Sequence, residues 1–226
     1  MSPAPRPSKE DVLSAFRRTA LLESARHVFG ECGFEGATMD RIAQEAGVAK
    51  GTIYLYYSSK QSIYAEALNQ GLAELDELTE ARLNEAGTLR DAISAFIRAR
   101  TEYFLARREF FRMYAAAITA HLTERHGSPS EFRSLIDRQT RRLEAVIARA
   151  IARREIRRVD PAATALAIFD LTRGLVARKL ILGHVPPDMA GRSEDAEFLT
   201  DLIWNGIGAG RSARVKAQTK TTKRKR

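Results

Sequence analysis

An all-α fold, a small N-terminal helical domain followed by a larger helical bundle, is what this sequence predicts. Three observations carry the prediction. Helix formers (Ala, Leu, Arg, Glu) fill most of the 226 residues, and β-branched runs are few. Apolar residues recur at three- and four-residue spacing in segment after segment. Gly and Pro, 14 and 7 in all, are sparse and mostly punctuate those segments.

Residues 1–10 carry Pro3, Pro5 and Pro7 and read as a disordered arm, with Arg6 and Lys9 able to reach a DNA groove. A helix follows from about Asp11 to Glu31, its apolar face marked by Leu13, Phe16, Ala20, Leu21, Ala25, Val28 and Phe29. It stops at Gly33, and Phe34 folds back as a plug. Arg17 and Arg18 are open to two readings, phosphate contact or solvated charge. Cys32, the single cysteine, cannot form an intramolecular disulfide and reads as a small buried hydrophobe.

Residues 38–60 read as two short helices joined by a tight turn. Thr38 is an N-cap, with Met39, Ile42, Ala43 and Ala46 on one face. Gly47 breaks the helix, as a residue able to take positive φ does, and Val48 points into a small core. The second helix runs from about Ala49 to Tyr56 and buries Ile53 on the same side. Two helices crossing steeply in this way form a helix-turn-helix. Lys50, Thr52, Tyr54, Tyr56 and Lys60 all carry donors suited to a phosphate backbone, while small Ala49 and Gly51 permit close approach. Base reading is expected from residues near Ala49, Lys50, Thr52 and Ile53, close backbone approach at Gly51, and phosphate contact from Thr38, Tyr54, Tyr56 and Lys60.

The run Phe29-Gly-Glu-Cys-Gly-Phe34, then Ala37 to Tyr54, then Tyr57-Ser-Ser-Lys60, closely resembles the DNA-binding domain of the tetracycline-repressor (TetR) family over about residues 18–70. Leu55 and Tyr56 stand where that family often has an aromatic and a histidine, and Ser58 where a lysine is frequent. The resemblance implies a helix-turn-helix DNA-binding domain over 11–62 and a ligand-binding and dimerisation domain over 63–210. It also implies a regulator, usually a repressor, acting as a homodimer on a near-palindromic operator.

The following helix, Lys60 to about Asn84, carries Ile63, Ala67, Leu68, Leu72, Leu75 and Leu78, and reads as a lever shared by both domains. Amphipathic helices over 89–106 and 109–125 concentrate aromatics. Phe96, Tyr103, Phe104, Phe111, Tyr114 and His121 are the candidate lining of a ligand pocket, with ordinary core as the competing reading. His121 and His126 are five residues apart with no completing partner, so no metal site is expected. Gly127 to Ser130 is a loop, and an arginine-rich helix runs from there to about Arg158, its charged face solvated. Asp160-Pro161 opens a helix over 162–182 that is apolar nearly all round, and a last helix covers 194–208. Together these look like half of an intersubunit four-helix bundle, with Phe169, Leu175, Val176, Phe198, Leu202 and Trp204 as the candidate dimer interface. Gly206 to Gly210 follows a helix, not a strand, and reads as a helix stop instead of a dinucleotide loop.

The net charge of +9 belongs to the tail: residues 211–226 hold eight bases and no acid, which leaves the rest of the chain at about +1. The tail is expected to be disordered. Neither paired carboxylates in an apolar setting nor a nucleophile with its base is visible, so no enzyme and no cofactor is expected. A stretch of about 18 apolar residues and a secretory leader are equally lacking, which places the chain in the cytoplasm. The expected partners are duplex DNA, a second copy of the chain and a small-molecule effector. The alternative is a DNA-binding regulator with no small-molecule ligand, controlled by a partner protein or by abundance.

Overall fold

The computed structural model describes residues 8–122, 130–181 and 194–208. The described residues form nine α-helices: α1 (Lys9–Gly36), α2 (Met39–Glu45), α3 (Lys50–Tyr56), α4 (Lys60–Asn84), α5 (Leu89–Ala106), α6 (Arg108–Leu122), α7 (Ser130–Ala152), α8 (Pro161–Ile181) and α9 (Glu194–Ile207). The expected fold class holds, and most helix limits fall within a few residues of those read from the sequence.

The chain divides into two compact units. One comprises residues up to Leu78 together with Glu102–Ile136; the other comprises Thr79–Thr101 and the chain from Asp137 onward. The expected domain boundary at 62/63 falls inside the first of these units. Most of α4, the end of α5 and α6 belong with the helix-turn-helix.

In the first unit, α1 starts at a capping box, with Ser8 and Asp11 each satisfying the other's backbone N–H. It bends at Gly33, whose φ of 71° an L side chain would resist. The bend turns Phe34 back so that Phe29, Phe34 and Tyr64 pack as a trio, with centroids 4.9 to 6.0 Å apart. Cys32 is half-buried on the flank of α1 instead of lying in the core, and donates its thiol to the Val28 carbonyl. α2 ends in a Schellman motif: Gly47 (φ 66°) donates to Gln44, and Val48 donates to Ala43 at 2.9 Å. Ile42, Ala43 and Ile53 are buried beneath that turn.

α6 packs against α1. Two glycines set this approach. A Cβ on Gly30 would overlap Glu109, including its backbone, and a Cβ on Gly71 would overlap the Phe110 ring. The Gly71 carbonyl also receives the Tyr103 hydroxyl at 2.8 Å. The start of α6 is thus fitted between α1 and α4, with no side chain on either at the point of contact.

In the second unit, α7 ends at Ala152, earlier than the expected Arg158. Arg154 takes φ 61°, and Glu155 donates to Ala150, closing a Schellman turn without a glycine. The segment beyond is tied to the end of α9: Ile156 bridges Gly208, and Arg157 donates to the carbonyls of Ile207 and Gly206. Asp160 caps α8 through the Ala163 N–H. α8 and α9 are joined by a buried ion pair, Lys179–Asp195 at 2.7 Å.

Candidate nucleic-acid interface

α2 and α3 position the side chains expected to meet DNA. Thr38 caps α2, accepting from the Arg41 N–H at 3.1 Å, and remains exposed. Ala49 precedes α3 without supplying a side-chain cap. Ile53 is fully buried, and its contacts hold the inner side of α3. The opposite side is open. Nothing lies within 4 Å of where a Gly51 side chain would stand, and Tyr54 and Leu55 are 48% and 82% exposed. Lys50 is exposed and pairs with Asp40 at 2.7 Å, which holds its ammonium charged by raising its pKa. An exposed pair of this kind contributes little. Thr52 and Tyr56 are half-buried on the flanks of the same helix.

Two of the expected contact residues have inward surroundings. Ile53 cannot read a base, because its side chain is wholly enclosed by its own unit. Lys60 is committed elsewhere: its ammonium donates to the carbonyls of Phe34 and Ala37 at 2.7 and 3.1 Å and lies 4.5 Å from the Phe34 ring centroid. It therefore closes the C-terminal end of α1, where carbonyls lack helical partners.

Nearby charges are already organised. Arg18 forms a two-pronged pair with Glu66, at 2.6 and 2.5 Å, over the Tyr57 ring. Glu66 holds the Arg18 pKa above its usual value. The Tyr57 hydroxyl is buried without a hydrogen-bond partner, and burial together with Glu66 pushes its phenol up to about 12. Arg41 pairs with Glu31 at 2.6 Å, an exposed base that the sequence reading passed over because it lies on α2 and not on α3.

The candidate pocket residues divide between the two units. Tyr103, Phe104, Phe111 and Tyr114 are buried in the first unit, with Phe104 centred 4.9 to 5.7 Å from the other three rings. Phe96 belongs to the second unit, where Arg100 lies over the rings of Phe96 and Phe169. His121 falls in the last turn of α6, outside the residues whose side chains are described. The first unit opens a cleft of about 400 Å³ lined by Glu23, Arg26, His27, Glu74, Ala106, Arg107, Glu109 and Phe110. Within it Arg26 reaches Glu74 at 3.0 Å and the Ala67 carbonyl at 3.2 Å. Separate stretches of chain, from α1, α4 and the α5–α6 junction, build this cleft, so no local sequence pattern announced it.

The candidate dimer residues differ in burial. Phe169 and Val176 are buried within their own unit. Leu175 and Trp204 are half-buried. Phe198 and Leu202 are 69% and 55% exposed, joined by Leu166 and Leu171 on α8. Residues 1–7 and the basic tail lie outside the described residues. Among the described residues no group of acids, His and Cys could hold a metal, and no helix is long and apolar enough to cross a membrane.

Residues 21–67 match the model of the family described as bacterial regulatory proteins, tetR family. The uncharacterized HTH-type transcriptional regulator YfiR of Bacillus subtilis is 26% identical over 211 residues, 83% of this chain and 91% of its own length. The crystal structure of the TetR-family transcriptional regulator PfmR from Thermus thermophilus superposes with a TM-score of 0.66 at 26% identity, over 84% of this chain and 99% of that one. Transcriptional regulator FadR from Bacillus subtilis, solved in complex with stearoyl-CoA, gives a TM-score of 0.67 at 20% identity, over 84% and 98%.

Proposed function

The chain belongs to the tetR family of bacterial regulatory proteins, and from that premise we propose that it is a ligand-responsive repressor that binds a near-palindromic operator as a homodimer. The observation that carries this is the two-sidedness of α3. Ile53 locks one side into the unit, while Lys50, Gly51 and Tyr54 stand uncovered on the other. A short helix presented in this way enters a major groove, with hydroxyls and amines placed for the flanking phosphates. In this reading Lys50 leaves Asp40 for a phosphate, and Tyr54 and Tyr56 donate their hydroxyls to phosphate oxygens. Thr38 holds the backbone at the start of α2, while Ala49, Gly51 and Thr52 lie nearest the bases. The apolar surface of Leu166, Leu171, Phe198 and Leu202 receives the second copy. α4, which contributes residues to both units without a break, carries the effector's influence to the DNA-binding helices. The protein acts in the cytoplasm, where its operator is.

The test is titration of a duplex enriched from a random pool. Tyr54→Phe is expected to weaken binding with helicity unchanged. Lys50→Ala should lower the slope of log affinity against log salt by about 2 for a dimer, one phosphate per subunit. Unchanged affinity and slope in both variants would remove α3 from the interface.

A second reading, a regulator with no small-molecule effector, is favoured by the close packing of the aromatic residues expected to line a pocket. Thermal shift against a metabolite panel that includes stearoyl-CoA separates the two. A compound that stabilises the protein and releases the operator supports the first; none doing so supports the second.

A further inference from the structure

Leu55 is the most exposed large apolar side chain among the described residues, at 82%. Its neighbours give this exposure a direction. On a helix of about 100° per residue, Leu55 lies about 160° round from buried Ile53 and about 40° from Gly51. Gly51 sits one turn before it, with open space where a side chain would be. Tyr54 flanks it, exposed, and Ser58, also exposed, lies just beyond the end of the helix. The outermost strip of α3 is therefore a glycine and then a leucine, bordered by polar groups. The glycine lets the helix backbone come close to whatever lies opposite, and that brings a side chain as short as leucine to the same surface.

Leucine has no donor or acceptor, so it cannot read the hydrogen-bonding edge of a base pair. In the major groove the apolar feature that distinguishes one base from the others is the C5-methyl of thymine. Resting on the reading of α3 as the groove-entering helix, we infer that Leu55 is a specificity-determining residue that recognises a thymine methyl in each operator half-site. The contact removes water from both apolar surfaces and carries base information that Lys50 and the tyrosines, directed at phosphates, do not supply. An A·T pair at that position is then required for its methyl and not for its hydrogen bonds.

Replacement of thymine by deoxyuridine removes that methyl and leaves base pairing intact. The full chain is first used to enrich a random duplex pool, and each conserved thymine is then replaced symmetrically by deoxyuridine. At one position the wild type is expected to lose about fourfold in affinity per half-site, about fifteenfold in all, as for one buried methyl group. Leu55→Ala should bind the thymine operator more weakly by a similar factor and respond to the same replacement by less than about twofold. Leu55→Met, which keeps an apolar reach, should retain the response. Circular dichroism checks that both variants fold, as an exposed position predicts. An enriched operator with no methyl-sensitive thymine, or one equally sensitive in Leu55→Ala, overturns the inference and leaves the regulator reading standing. Failure of the wild type to enrich any duplex overturns both.

Discussion

Lys60 illustrates how the type of a side chain leaves its partner open. A lysine at the end of a helix-turn-helix suggests a phosphate, yet this ammonium is fixed by the carbonyls of Phe34 and Ala37 and by the Phe34 ring. Charged donors to helix-end carbonyls contribute more than neutral ones. Lys60→Met should therefore cost about 1.5 kcal/mol in chemical denaturation, while operator affinity per folded molecule stays within about twofold. A large loss of affinity at full stability would return Lys60 to the interface. Tyr57 presents the opposite case. Its buried hydroxyl has no partner, so Tyr57→Phe should be neutral or stabilising by up to about 1 kcal/mol. The same residue makes a pH prediction. Its phenol, ordinarily near 10, is held at about 12 in the folded chain, so the folded state favours the neutral form. The stability this brings is complete below pH 10 and is lost as pH rises from 10 to 12. Over that window the wild type should lose stability that Tyr57→Phe keeps, seen as a difference between their melting curves; parallel curves would contradict the assignment.

Among the helices, the contact that organises the DNA-binding unit is the one α6 makes with α1 and α4. It depends on residues without side chains, Gly30 and Gly71, and on the Tyr103 hydroxyl closing onto the Gly71 carbonyl. A Gly30 Cβ would meet the backbone of Glu109, which no rotamer change relieves. Gly30→Ala is accordingly expected to destabilise by about 2 to 3 kcal/mol, measured by urea unfolding. A change below about 0.5 kcal/mol would mean that the helices separate freely. This arrangement was hidden from sequence reasoning because Gly30, Gly71 and Phe110 are far apart along the chain and carry no common motif. The limits of α2 and α3, by contrast, were legible, since Thr38 and Gly47 are local signals whose chemistry acts within a turn or two. α7 was read too long because Arg154 adopts the left-handed conformation with no glycine to mark it. For α8 the periodicity could not separate inside from outside. The helix is apolar nearly all round, so Phe169 and Val176 were placed outward when they are buried, and the exposed Leu166 and Leu171 were passed over. Ile53 was legible as buried from its helical spacing, and that burial is at odds with its second expectation as a base contact.

For the whole molecule, two features bear on how it acts. Outside the tail the chain is almost neutral, so any grip on DNA comes from placed groups and not from bulk charge. The second unit leaves Leu166, Leu171, Phe198 and Leu202 largely open to water. In the proposed dimer, a second copy covers these side chains. Phe198→Asp combined with Leu202→Asp is expected to yield folded monomers by light scattering and to weaken operator binding by at least about a hundredfold, because two half-sites must dock together. A dimer that survives both substitutions would place the interface elsewhere.

The central claim, that paired copies of α3 enter successive major grooves, is tested most directly by the duplexes the full chain enriches from a random pool at low ionic strength. The account predicts two inverted copies of one short motif, their centres one helical turn apart or a multiple of it, about 34 to 36 Å per turn. Enrichment of a single unrepeated motif, or of none, would contradict it.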